Sequence, residues 1–355
     1  MSDTVYLRLR EFLGQFPLGF PETPSGVEIK ILKRLFTEEE AAIAVALTPF
    51  PEEVDQISKR IGHAQQGLDE KLESMSKKGL IFRIRREGKT LYNAAPFMIG
   101  LYEYSVKKID EELASLYREY YETAYLDEMA ASNVPGFKVL PISEQVQGDL
   151  VLLPFLKLKD EVRAAAKISV TDCICRKEAR LTGRGCIHPI ETCLSFGVAA
   201  EYYIENGMGR EITAKEAIAI LEDADRAGLV HAGANTKHLS NICNCCPCCC
   251  ASMKGIIARG HDKHKYLNAL FEAIIEEDKC TGCEDCLGRC PVGAISVWHT
   301  AKVKREKCLG CGLCAGTCSS EAIVLHLRQD REEPFDRMLN LGMAIIHGKT
   351  KGAGH

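Results

Sequence analysis

The sequence predicts an α+β multidomain protein, mostly helical: an N-terminal helical unit closed by a hairpin, a helical cysteine-rich centre and a C-terminal cysteine-rich domain. Two observations carry this prediction. Helix caps and apolar helical periodicity recur through much of the first 270 residues, with one alternating hairpin among them. The 18 cysteines of the 355-residue chain are also unevenly spread, with none before Cys173, four from Cys173 to Cys193 and fourteen from Cys243 to Cys318. The composition, 46% hydrophobic and 26% charged, is that of a globular chain and argues against extensive disorder. A formal net charge of −4 offers no basic excess to attract nucleic acid or an anionic membrane.

The first residues, MSDTVYLRLREFLGQFPLGF, contain no apolar leader core and no cleavage site. No run reaches the roughly 18 apolar residues of a membrane span. The expectation is a cytoplasmic chain with reduced thiols, in which so many cysteines serve as metal ligands rather than disulfides.

Residues 1–97 form the first expected domain. A helix covers 27–36, and Thr37 with Glu40 has the capping-box spacing ahead of a second. Pro49 and Pro51 interrupt the chain. Val54, Ile57 and Ile61 line one face of a third helix, and Leu68, Leu72 and Met75 line a fourth near 65–78, closed by Gly79. LIFRIRREGKTLYNAAP then alternates and turns at Glu87-Gly88. This order resembles the winged helix-turn-helix domains of prokaryotic regulators, which implies DNA binding or a docking role. Residues 25–105 hold twelve basic and twelve acidic side chains, and the helix that would read DNA carries Asp69, Glu70 and Glu73. DNA readers need a basic face, so docking, including formation of a homodimer, is favoured over DNA.

Residues 98–158 read as a helical connector and linker: one long helix or two shorter ones over 98–131, then an extended stretch, NVPGFKVLPISEQV. The tyrosines at 102, 117, 120, 121 and 125 are expected to pack rather than bind a cofactor. From about Lys159 to 270 the chain reads as a helical cysteine-rich domain, with a capped helix from Thr213 to Arg226. A polar, glycine-containing tail occupies 331–355.

The strongest motif is Cys280-x-x-Cys283-x-x-Cys286-x-x-x-Cys290-Pro291, followed by Cys308-x-x-Cys311-x-x-Cys314-x-x-x-Cys318. Three cysteines spaced by two residues wrap a tight loop around one cubane. The fourth lies on the next helical turn, points away and serves the other cluster. Cluster 1 is expected to take Cys280, Cys283, Cys286 and Cys318. Cluster 2 is expected to take Cys308, Cys311, Cys314 and Cys290. Gly282, Gly310 and Gly312 allow close backbone approach. The two halves repeat internally, each followed by a short strand, AISVWH and AIVLHL. Residues 275–328 resemble the bacterial two-cluster 4Fe-4S ferredoxins, which implies a ferredoxin-like dicluster domain, bounded at 271–330, carrying low-potential single electrons. Ser319 stands where that pattern has proline. With two oxidised clusters the domain reaches a charge of about −6, suited to a basic redox partner.

Ten cysteines remain in the centre: Cys173, Cys175, Cys186, Cys193, Cys243, Cys245, Cys246, Cys248, Cys249 and Cys250. They are candidate ligands of one or two further iron–sulfur clusters, with structural zinc as the alternative. Neighbouring cysteines in extended chain face opposite ways, so Cys245 and Cys246, or Cys249 and Cys250, should serve different sites. Arg176, Lys177, Arg180 and Arg184 are placed to offset cluster charge, and His188 is a minor ligand candidate. The segments CxCR, GCxHPxETC and ICNCC are similar to segments of ferredoxin-like proteins of anaerobes. No dinucleotide, P-loop, zinc-protease or serine-hydrolase motif is present, and the i,i+3 pair His261 and His264 reads as a solvated face. Flavin, which has no short fingerprint, stays open. The sequence therefore predicts an iron–sulfur electron-transfer protein of an oxidoreductase system. Its rivals are a redox-sensing winged-helix regulator and a reductase whose central cluster binds substrate; no catalytic residue is named.

Overall fold

The computed structural model describes residues 3–62, 67–142, 146–147 and 157–352. It opens with helices Thr4–Leu13, Val27–Leu35, Glu38–Val45, Val54–Ile61 and Leu68–Lys77. The third of these begins on a full capping box: Glu40 N donates to Thr37 Oγ1 at 3.2 Å, and Thr37 N donates to the Glu40 carboxylate at 2.9 Å. Residues 65–66, the start of the fourth expected helix, lie outside the described residues. Strands Ile81–Arg86 and Lys89–Ala94 form a hairpin whose Glu87 and Gly88 both have positive φ, the twist a two-residue hairpin turn demands. The short strand Glu52–Glu53 pairs with its outer edge.

This unit does not stand apart from the rest. The Tyr202 hydroxyl, on helix Val198–Glu205, donates to Ile81 O at 2.7 Å and Ser76 O at 3.1 Å. Phe82 packs on Tyr202 with ring centroids 4.6 Å apart. One apolar core runs from Leu9 and Ile31 through Tyr202 to Met253 and Leu313.

Between them lies a cage of rings. Phe97 touches Tyr102, Tyr117, Tyr120, Tyr121 and Tyr125, with centroids 4.8–6.0 Å apart. Tilted and edge-on ring pairs each add about 0.5–1.5 kcal/mol beyond burial. The chain over 98–131 is neither one long helix nor two. It makes a single turn at Tyr102–Tyr104, then a helix from Glu111, capped by Asp110, that passes through a π-turn at Tyr121–Tyr125 before ending at Met129.

Three expectations need correction. The central region is not a helical domain: it is built on a seven-stranded sheet, and the described chain as a whole is mixed α and β, about 43% helical. The strand order is Leu267–Asn268, Phe137–Val139, Val230–Ala234, Asn241–Cys245, Glu191–Phe196, Ile168–Asp172, Arg210–Glu211. All neighbours are antiparallel except the first pair. Secondly, the stretch expected as a linker supplies one of these strands, Phe137–Val139, with all three residues buried. Strands such as VHAGA, buried on both faces and rich in small residues, show no polar alternation to give them away. Thirdly, the C-terminal tail is a helix, Met338–Gly352. Leu341 and Ile345 are buried four residues apart, which packs one face despite the glycines.

The C-terminal domain pairs Phe271–Ile275 with Ile323–Leu327 and Ile295–Val297 with Ala301–Val303. Among the described residues no helix is long and apolar enough to cross a membrane.

Candidate metal centres

In the C-terminal domain the two cysteine runs close around two small cavities. One is lined by Cys280, Cys283, Cys286 and Cys318, the other by Cys290, Cys308, Cys311 and Cys314. Each run therefore gives three cysteines to one cavity and its fourth to the other. Backbone amides point at the sulfurs: Ala294 N donates to Cys290 Sγ at 3.1 Å and Ala301 N to Cys280 Sγ at 3.3 Å. Such bonds stabilise thiolate charge and raise a cluster's potential. The Ser320 hydroxyl lies 3.5 Å from Cys318 Sγ, in the segment that departs from the usual proline. Gly310 has φ +67°, and a Cβ there would sit 2.1 Å from Phe271 O. The loop reaches its cavity only because that position has no side chain.

Residues 272–331 match the family model of the 4Fe-4S dicluster domain. No curated protein and no solved structure matches the chain. The C-terminal region is thus an iron–sulfur, ferredoxin-like domain with electron-transfer capacity.

The two cavities differ in exposure. Cys283, in the first, is exposed, whereas Cys308 and Cys314 of the second are buried. Burial pushes the Cys311 thiol up to about 12. Cys311, Leu309 and Leu313 pack on the same apolar core as Cys175, Cys245 and Met253 of the centre. A buried Lys263 seals this junction, its Nζ donating to Cys308 O at 2.7 Å and Arg305 O at 3.0 Å.

The ten central cysteines divide into two sets. Seven line a chamber that also has walls of Met98, Ile99, Phe137, Val230 and Leu267: six of them form one set, and the seventh, Cys246, belongs to the second. Cys173 precedes helix Ile174–Leu181 and Cys175 sits in its first turn; Cys193 comes from the neighbouring strand. Cys243 and Cys245 lie two apart on strand Asn241–Cys245, hence on one face, and Cys250 precedes helix Ala251–Ile257. The thiols ring the chamber. Cys173 hydrogen-bonds with Cys175 and Cys193, and Cys245 with Cys243 and Cys250, while charge on one trio is felt by the other.

The remaining four, Cys186, Cys246, Cys248 and Cys249, gather at a second point, all within 4.8 Å of one another. The turn at 246–249 parts Cys249 from Cys250, whereas Cys246 joins the tetrad and also lines the chamber beside Cys245. Hydrogen bonds from the Cys249 and Cys248 thiols, with Arg176 adding, outweigh burial and hold Cys246 down at about 4. That is the thiolate form that binds metals. His188 is not among these groups; its carbonyl accepts from Arg180 at 2.8 Å.

Arg176 lies between the two sets and is fully buried. Its guanidinium donates to Asn244 O at 2.8 Å and to the Thr192 hydroxyl, while its Nε has no partner. Both acceptors are neutral. A buried cation needs a nearby anion, and the thiolates of Cys173 and Cys246, both held below the usual thiol range, are those the fold supplies. A negatively charged thiolate–metal group at this position fits both the donor set and the orphaned nitrogen. The other basic residues expected to offset cluster charge are engaged elsewhere: Lys177 on Val106 O, Arg180 on the 186–188 loop, Arg184 on Glu122.

Sequence reasoning missed Glu103. It lines the chamber, accepts from Gly100 N at 2.8 Å, and burial pushes its carboxyl up to about 8, so it is protonated at neutral pH. Nothing in YEYS distinguishes it from a surface glutamate; only the tyrosine cage around it does.

Proposed function

We propose that this protein carries single electrons from a partner through its two C-terminal clusters into a multi-iron cluster held by the ring of Cys173, Cys175, Cys193, Cys243, Cys245 and Cys250. The observation that carries this reading is contiguity: the buried second cavity of the dicluster domain abuts the core that surrounds the ring. Cluster 1, ligated by Cys280, Cys283, Cys286 and Cys318, is the inlet. Cluster 2, ligated by Cys308, Cys311, Cys314 and Cys290, is the relay. Beside the inlet, Trp298 is 90% exposed and Glu284 and Asp285 lie between Cys283 and Cys286. A partner with a basic rim around an apolar socket suits this surface.

When bound, the clusters supply one-electron chemistry; the chain contributes the rest. Arg176 balances thiolate charge in the interior. Met98, Ile99 and the tyrosine cage keep water from the chamber. Glu103 holds a proton there, which favours a second reading: the chamber admits a small substrate, a cluster held by the ring would supply the electrons, and Glu103 would supply a proton.

We read the N-terminal unit as a winged-helix-like docking module rather than a DNA reader. Arg83 and Arg85 of the hairpin are both engaged by Glu73 and Glu205, and Lys71 and Lys78 pair with Glu39 and Glu40. These cations are not free to meet phosphates.

Anaerobic iron and acid-labile sulfide analysis of the reconstituted full-length protein tests the central assignment. Two clusters account for about eight irons, and the ring adds about four or more. About eight irons in all, with no cluster signal beyond the dicluster pair in EPR, would sink the proposal.

A further inference from the structure

We propose that Cys186, Cys246, Cys248 and Cys249 bind one metal ion in a closed tetrahedral site, distinct from the six-thiol ring. The ion is a single thiophilic cation of the zinc(II) type. The inference rests on sulfur spacing and on how the chain supplies the four thiols.

Cys186 Sγ lies 4.0 Å from Cys246 Sγ and 3.7 Å from Cys249 Sγ, and Cys248 Sγ lies 3.8 Å from Cys249 Sγ. Zinc–thiolate bonds of about 2.3 Å in a tetrahedron place the sulfurs about 3.8 Å apart. A cubane binds its four thiolates to four different irons, each pointing outward from its own corner, and so spreads them farther. The tetrad is thus sized for one ion and too tight for a cluster. All four positions are filled by sulfur, which is the pattern of a structural site without an open coordination position.

The supply of ligands gives the ion a task. Three come from Cys246-Pro247-Cys248-Cys249, the turn between strand Asn241–Cys245 and helix Ala251–Ile257. The fourth comes from the 182–190 loop, which Arg180 clamps through the carbonyls of Cys186 and His188. Cys245 and Cys250 of the ring are the immediate chain neighbours of Cys246 and Cys249. Fixing the turn therefore fixes two ring thiols, one on each side. Cys246 and Cys249 are 1% and 2% exposed, while Cys248 is exposed, so the ion can enter from the Cys248 side. With four thiolates around a divalent ion the group carries about −2, and Arg176 stands next to Cys246 to offset it.

The test is metal and sulfide analysis of the full-length protein, purified without oxygen, beside Cys248→Ser and Cys249→Ser. The expected result is about one zinc per chain, or one iron without matching sulfide, lost in both variants while the dicluster EPR signals persist. Loss of iron and sulfide in equal numbers from these variants would overturn the proposal, because the tetrad would then belong to a cluster. So would an unchanged metal content. If the variants do not fold, the wild-type chain from cobalt-grown cells decides. Tetrahedral cobalt–thiolate absorption, with an X-ray absorption shell of four sulfurs at about 2.3 Å and no metal–metal scattering, supports the site. Their absence, or a metal–metal shell at the cobalt, overturns it. Since the reading of the ring depends on iron above eight and this site on a lone ion, either can fail without the other.

Discussion

The C-terminal and central cysteines pose the same chemical problem and solve it at different length scales. In the dicluster domain, each cavity is lined by three cysteines of a seven-residue run and one from its repeat. In the centre, the ring draws Cys173, Cys175 and Cys193 from one part of the chain and Cys243, Cys245 and Cys250 from another about fifty residues on, brought together by antiparallel strands. The first arrangement is written in spacing; the second exists only once a sheet has formed. Local ligand sets survive damage elsewhere in a fold, whereas long-range sets depend on everything that aligns the strands.

The largest test of this contrast is deletion of a ligand on each side. Cys245→Ala should abolish all iron bound by the ring and leave the dicluster spectrum intact. Cys311→Ala should remove cluster 2 and block electron delivery to the ring while leaving the ring's own metal in place. Iron quantification and anaerobic reductive titration check both. If Cys245→Ala leaves central iron unchanged, the long-range ring is not the ligand set.

Next in size is Arg176→Met. Removing one partner of a buried charge pair costs about 3–5 kcal/mol, so the loaded protein should lose that much stability in anaerobic denaturant titration. The same substitution should lower the potential of the central cluster, since a nearby positive charge favours the reduced state. An unchanged midpoint would show that Arg176 does not face thiolate charge.

Gly310→Ala is smaller. A side chain forced into positive φ and against Phe271 O should cost about 1–3 kcal/mol, felt in the dicluster domain alone. Thermal melts followed at the cluster absorption measure it; equal losses at the central sites would contradict the local character of the C-terminal half.

The last test concerns Glu103. Its carboxyl is raised to about 8, so the folded protein keeps a proton that the unfolded chain releases at the ordinary carboxylate pKa. Between those limits the native state binds more protons, and stability falls as pH rises, levelling above about 8. In Glu103→Gln that slope should vanish, as read from denaturation midpoints across the window.

The same difference in length scale explains what could be read from the sequence. Thr37 with Glu40, the hairpin at Glu87-Gly88 and the two spaced runs from Cys280 to Cys318 are local signals, and each is visible in a window of a few residues. The central sheet is not. Its strands are short; Val230–Ala234 is buried on both faces, and it and Asn241–Cys245 carry Cys, Asn, Ala and Gly where β-branched residues would announce them. The strand Phe137–Val139 sits in a stretch whose prolines and glycine suggest a linker. The final helix was masked by glycines, although Leu341 and Ile345 keep its packed face. Opposed directions for adjacent cysteines followed from backbone geometry, but which thiols met across the sheet did not, because register is set by tertiary packing.

The exposure of Cys283, set against the burial of Cys308 and Cys314, has a bearing on survival in air. Oxidants meet the outermost cluster first. In the proposed arrangement, its loss would disconnect the partner before any metal held in the interior is attacked, and the surface cluster would act as a fuse. A briefly aerated molecule would fall silent with its centre intact, and repair would require rebuilding one accessible cubane rather than refolding the sheet.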